Sequence, residues 1–275
     1  MLVTILGILV FVGKNEKTEP FVGNSKKQVL KTAHISIDDA TMIFKDIWWK
    51  EYESIFDNKM LGILQTMHEE YGLKVTLYVF GEMEGFAMWD FPLEYKAEFQ
   101  ENADWLQIGF HSGEDCDPEE DYQSQQEFEL DYNRTESAIW RLAGGESVTS
   151  VLRLHNWYAT EEMVTYLQEE RVTALLCRDS EEASYCLAEE HVEKLYGSRD
   201  GVLEVDGITY YVTDVRLEKV ENIIDILETR KKDRVIVIFT HAWCFMENSE
   251  KLEKAVQWLV EADYQFSDLK PVEEE

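Results

Sequence analysis

Hydrophobic and polar positions change period along this chain, and the changes mark elements. Between Lys59 and Tyr71, Met60, Leu61, Leu64 and Met67 recur at helical spacing, and Gly72 follows as a left-handed terminator. Residues 75–80 are β-branched and aromatic and predict a strand. A short apolar run at 106–110 stops at His111, and 148–154 and 172–176 read as further strands. Asp117-Pro118 is an N-cap and first-turn pair that predicts a helix toward Leu142, closed by Gly144-Gly145. Thr160 predicts the cap of a helix through Glu170. Asp206-Gly207, set between Leu203 and Val205 on one side and Ile208, Tyr210 and Val212 on the other, is a two-residue hairpin signal. Residues 220–227 and 252–259 are helical, and Tyr264–Phe266 is a last strand. The run 235–240 is almost wholly apolar, the pattern of a strand buried on both faces, and it stops at His241.

Strands alternating with helices predict a parallel arrangement with right-handed crossovers. The fold class expected is α/β, a distorted (β/α) barrel of about seven strands in one domain over residues 32–275. Residues 1–31 are set apart as a leader or linker. Their part from 14 onward is polar and lysine-rich around Gly23, Asn24 and Ser25. The apolar run at 2–12 is shorter than the roughly 20 residues that span a bilayer. It has no positive residue before it, so a leader remnant, a membrane anchor and a buried element stay open, as do the cytoplasm and a secreted or cell-surface location.

Composition narrows the function classes. The chain is 45% apolar, with 13 Phe, 13 Tyr and 8 Trp, which supplies a sizeable core and excludes global disorder. A formal charge of −30 without a basic tract makes the protein a poor partner for a phosphate backbone, so no nucleic-acid partner is expected. Cys116, Cys177, Cys186 and Cys244 form no Cys-x-x-Cys pair, which excludes a zinc knuckle or a dense disulfide scaffold.

The candidate chemistry lies where strands stop. The run 33–37 ends in Asp38-Asp39, 106–110 in His111, 148–152 in Arg153 and 235–240 in His241. In parallel α/β folds the C-terminal strand ends converge on one face, where active sites lie. Two carboxylates and two imidazoles there can hold a divalent metal and provide an acid and a base.

These strings also resemble a family. Ser36-Ile37-Asp38-Asp39-Ala40 is similar to the T-F-D-D-G motif of the polysaccharide deacetylases (NodB-homology domain, carbohydrate esterase family four). His111-Ser112-Gly113-Glu114-Asp115 resembles their H-[ST]-x-x-H motif, Arg153-Leu154-His155-Asn156 their R-x-P-Y, and Thr240-His241-Ala242-Trp243 their final L-x-x-H. The order is right, and the set spans most of the chain after the leader.

The resemblance implies a hydrolase that removes N- or O-acetyl groups from a carbohydrate, with a divalent metal, zinc first, as cofactor. It implies Asp38 as general base, His241 as general acid, and Arg153 as the residue that orients Asp38. Asp39 and His111 would ligate the metal. Asp115 stands where the family has its second metal histidine, with Asp117 as another candidate, and the set Asp39, His111, Asp115 is harder than one with two imidazoles. Pro and Tyr of the third motif are His155 and Asn156 here. Asn156 would lie near the oxyanion position, and His155 is a further candidate for the site. Trp157 and Trp243 are candidate sugar platforms, with Trp48, Trp49 and Trp89 in the same loops. The altered motifs keep a second reading open, a non-catalytic carbohydrate-binding relative.

Overall fold

The computed structural model describes residues 30–115, 122, 124–180, 182 and 184–269. The apolar run at 2–12, most of the linker, Asp117 and Pro118 lie outside the described residues.

Strand β1 (Lys31–Asp38) is the axis of the molecule, and its last six residues are buried. It runs parallel to β10 (Val235–His241) in a register that starts at Thr32 opposite Val235 and ends at Asp38 opposite His241. On its other side lies β2 (Val75–Met83), which carries β4 (Leu106–Glu114), both parallel. Strand β9 (Val215–Arg216) extends the sheet from β10, and β11 (Tyr264–Phe266) pairs with the start of β1. Strand β3 (Phe86–Ala87) folds back antiparallel on β2. A second sheet has the order β5 (Val151–Leu152), β6 (Ala174–Leu176), β8 (Ile208–Tyr211), β7 (Val202–Val205). The pairs within it are parallel except for the β7–β8 hairpin, whose turn is Asp206-Gly207. Among the described residues an isolated parallel bridge runs from Ile108 of β4 to Val148, three residues ahead of β5. The fold is mixed α/β, a distorted (β/α) barrel that the strand pairings among the described residues do not close.

Eight helices among the described residues cover the strands: α1 (Thr41–Lys50), α2 (Lys59–Tyr71), α3 (Lys96–Glu101), α4 (Gln125–Ala143), α5 (Glu161–Glu169), α6 (Glu189–Gly197), α7 (Ile223–Arg230) and α8 (Phe245–Glu261). Helix α2 has the predicted ends, with the Asn58 side chain accepting from the amides of Met60 and Leu61, and Gly72 at φ 71°. Helix α4 begins at Gln125, where Ser124 supplies the cap. Trp48 and Trp49 lie on α1 and not in a loop. Two further boundaries differ from the sequence expectation. β4 continues through His111 to Glu114, and the strand predicted at 148–154 narrows to two residues. Side chains occupy its ladder positions: the Val151 amide donates to Thr149 Oγ1, and the Tyr78 hydroxyl donates to the Val151 carbonyl at 2.8 Å.

Alternation along β1 separates two environments. Ala33, Ile35 and Ile37 face the helices and join the main apolar cluster. His34, Ser36 and Asp38 are the alternate set, all buried and all polar. Burying such groups is costly unless they are paired, so the barrel interior has to supply partners.

Candidate metal centre and catalytic site

Arg153 follows β5 directly and supplies most of those partners. It is fully buried. Its Nη1 donates to Thr213 Oγ1 at 2.7 Å, Nη2 lies 3.5 Å from Ser36 Oγ, and Nε stands 3.3 Å from Asp38 Oδ2. The guanidinium carbon sits 4.1 Å from the centre of the Phe239 ring, a cation–π contact in a dry setting. Burial still pushes the Asp38 carboxyl up, against the downward pull of Arg153, His111 and His241.

Asp39 is the next residue, and its φ of 55° is left-handed, a strained choice for a non-glycine residue. Strand β1 ends just before it, at Asp38, and α1 begins two residues after it, at Thr41. Asp39 Oδ1 lies 3.4 Å from His111 Nε2, and Oδ2 accepts from Trp243 Nε1 at 3.0 Å. The His111 Nδ1–H donates to the Arg153 carbonyl at 2.5 Å, which fixes the tautomer and turns Nε2 toward Asp39. Burial works to raise the Asp39 carboxyl, but the imidazole of His111, helped by His241 and His155, brings it below its usual value. Burial likewise opposes charge on His111, yet Asp39 and Asp38 raise its pKa.

His155 completes the cluster. It lies in a short turn, His155–Trp157, with its ring centre 5.2 Å from that of His111 and edge-on to Phe80. Asp39, His111 and His155 each offer a ligand atom, and these atoms lie within 4.8 Å of one another. Asp39 Oδ1 is buried and has no hydrogen bond among the described residues. One carboxylate oxygen and two imidazole nitrogens suit a divalent ion of the zinc type, so the residues present fit the metal that the motifs imply.

His241 ends β10 beside Asp38. Its Nδ1 is 2.5 Å from Glu218 Oε1, and its ring stacks on Trp243 at 5.1 Å. Glu218 also accepts from Arg216 Nε at 2.7 Å and from Thr240 Oγ1 at 3.2 Å. Burial works to raise the Glu218 carboxyl, but hydrogen bonds from His241, its own backbone and Arg216 bring it down to about 2. A carboxylate on Nδ1 leaves Nε2 as the nitrogen for proton transfer.

The structure thus gathers Asp38, Asp39, His111, Arg153 and His241 with two residues outside that set, His155 and Glu218. Asp115 is exposed at the end of β4 and is not part of the cluster. Asn156 is exposed at φ 53°, with its carbonyl accepting from Arg178 Nη2. Trp157 is half-buried against Phe239, and Trp243 is exposed beside the site. Trp49 projects to solvent from α1. Sequence offered a signal for His155, its position in the third motif. It offered none for Glu218, one acidic residue among 56.

No family model and no curated protein matches this sequence. Among solved structures, the chain is similar to a 4-α-glucanotransferase from Thermococcus litoralis, with a TM-score of 0.56 and 12% identity over 86% of this chain. It spans only 39% of that protein, and the likeness is one of fold. It is also similar to a CE4 esterase from Streptococcus mutans (TM-score 0.49, 14% identity, 86% of this chain and 85% of that one). A family 4 carbohydrate esterase from Bacillus anthracis aligns with a TM-score of 0.45 and 16% identity, over 86% of this chain and 80% of that one.

Two outcomes follow from the geometry. Arg153→Met strips Asp38 of its buried partner and is expected to cost about 3–5 kcal/mol in urea unfolding. Adding Asp38→Asn to that variant is expected to return part of the loss, and additive losses would show that the two groups are not coupled. Glu218 titrates near 2 when folded against 4.5 ordinarily, so its stabilising contribution is complete above pH 4.5 and is lost as pH falls toward 2. The stability of Glu218→Gln, followed by urea unfolding from pH 5 downward, is expected to fall less steeply than that of the wild type.

Proposed function

We propose that this protein is a metal-dependent hydrolase that removes acetyl groups from a carbohydrate. The observation that carries the reading is the meeting of Asp38, Asp39, His111, Arg153 and His241 at the ends of strands far apart in sequence. Asp39, His111 and His155 are the residues that would hold a divalent cation, in preference to Asp115. A cation held there polarises an acetyl carbonyl and lowers the pKa of a water.

The chain's own groups divide the proton chemistry. Arg153 engages Oδ2 of Asp38, and Oδ1 has no hydrogen bond among the described residues, which leaves Oδ1 to accept a proton from the attacking water. Burial makes that carboxylate a stronger base than an exposed one. His241, held in one tautomer by Glu218, presents Nε2 to donate a proton to the departing amine or alcohol. Trp243, tied to Asp39 and stacked on His241, offers its exposed face to a sugar ring, and Trp157 and Asn156 are further substrate contacts. The Asp38–Arg153 and His241–Glu218 pairs favour turnover over a silent binding protein, because a binding role requires neither.

Metal analysis of purified variants tests the ligand set. The wild type, Asp115→Ala and His241→Ala are expected to keep one equivalent of divalent metal, while His111→Ala and His155→Ala lose it. His241→Ala is further expected to slow acetate release by about 10²–10⁴-fold. Metal lost from Asp115→Ala and kept by His155→Ala would replace His155 with Asp115. An unchanged rate in His241→Ala would remove it as the acid.

A further inference from the structure

The opposite end of the barrel has its own polar recess. A cavity of about 340 Å³ opens at the N-terminal ends of β1, β2 and β4, and His34, Thr76 and Gln107 are among its walls. Three parallel strands place them side by side, since Thr76 pairs with Gln107 and, two residues beyond His34, with Ser36.

The backbone around the recess fixes what these side chains present. His34 is 1% exposed, and its Nδ1 lies 3.2 Å from the Ser267 carbonyl. A carbonyl only accepts, so Nδ1 carries the proton and Nε2 is a bare lone pair. Burial, aided by Arg153, lowers the imidazole pKa to about 4, so the ring is neutral at neutral pH. Gln107 is 8% exposed, and its Nε2 donates to the carbonyls of Ala103 and Glu146. Its Oε1 is therefore also an acceptor. Both His34 Nε2 and Gln107 Oε1 are buried and lack a hydrogen-bond partner among the described residues. Two orphaned acceptors cost more than a paired set, and a ligand carrying donors removes that cost.

The surroundings define the ligand further. Asp104 and Glu146 border the cavity, with Lys74 as the one cation among its described lining residues, so the charge there favours a cation. Trp105, Val75 and Ala103 add apolar wall. The volume exceeds the share of one water, about 30 Å³, by roughly tenfold and lies in the range of small-molecule sites.

We propose that this recess is a second binding site, distinct from the metal centre, for a small organic cation with N–H donors, an amidinium or primary ammonium on a compact apolar body. His34 Nε2 and Gln107 Oε1 receive its donors, and the acidic rim compensates its charge. The proposal is independent of the hydrolase reading.

Benzamidinium is the probe, titrated into the full chain labelled with ¹⁵N-histidine, with the His34 Nε2 resonance as readout. A saturable shift with a Kd on the order of 1 mM is expected, and benzoate, of the same shape but anionic and without N–H donors, is expected to leave the resonance in place. Asp104→Asn, at an exposed rim position, is expected to weaken binding about threefold. Gln107→Leu, if its melting curve shows it folded, is expected to abolish the shift. Absence of a saturable shift, an equal response to benzoate, or binding that survives both substitutions unchanged would overturn the proposal and leave the recess as a solvent pocket.

Discussion

Arg153 has no exposure to solvent, yet it reaches Asp38, Ser36, Thr213 and the face of Phe239, and its carbonyl receives the Nδ1–H of His111. A buried guanidinium tolerates few geometries, because each donor left without a partner is costly. This one residue therefore ties β1, β4, β10 and the loop after β8 to the segment after β5. It also sets the two sides of the candidate site at once, with Asp38 oriented through an ion pair and His111 through the peptide carbonyl. The candidate metal ligand His111 and the proposed base Asp38 are positioned by the same buried residue.

Much of this was readable from residue order. Helix α2 was legible through its apolar spacing and Gly72, and the β7–β8 hairpin through Asp206-Gly207. The strand ends at Asp38, Arg153 and His241 were visible because strand-like runs stop there at ionisable residues. What was not legible depends on tertiary detail. His155 enters the metal cluster through a turn in which Asn156 and Trp157 both take left-handed φ values, which no local pattern specifies. Glu218 has no distinguishing neighbours in sequence and gains its role from the register that brings β9 beside β10. Strand β5 is shorter than its apolar run because Thr149 and Tyr78 side chains take ladder bonds.

The alternation of β1 also explains why one strand serves two ends of the barrel. Its outward residues are apolar and packed, and its inward residues are His34, Ser36 and Asp38. Near Arg153 the environment pairs charge with charge. At the far end His34 stays neutral, and the Ser267 carbonyl dictates which of its nitrogens carries the proton. The same polar column thus presents a charged mouth that suits a metal at one end and a neutral acceptor, His34, in an acid-rimmed recess at the other.

If the cluster around Asp39 performs metal-dependent deacetylation, acetate release has to depend on a bound divalent cation. The most direct measurement is acetate release from N-acetylated and O-acetylated oligosaccharides by the protein as purified, after chelation, and after zinc is returned. The account predicts release that disappears on chelation and recovers with zinc. Release that is indifferent to chelation, or none from either class of substrate by zinc-loaded protein, would contradict it.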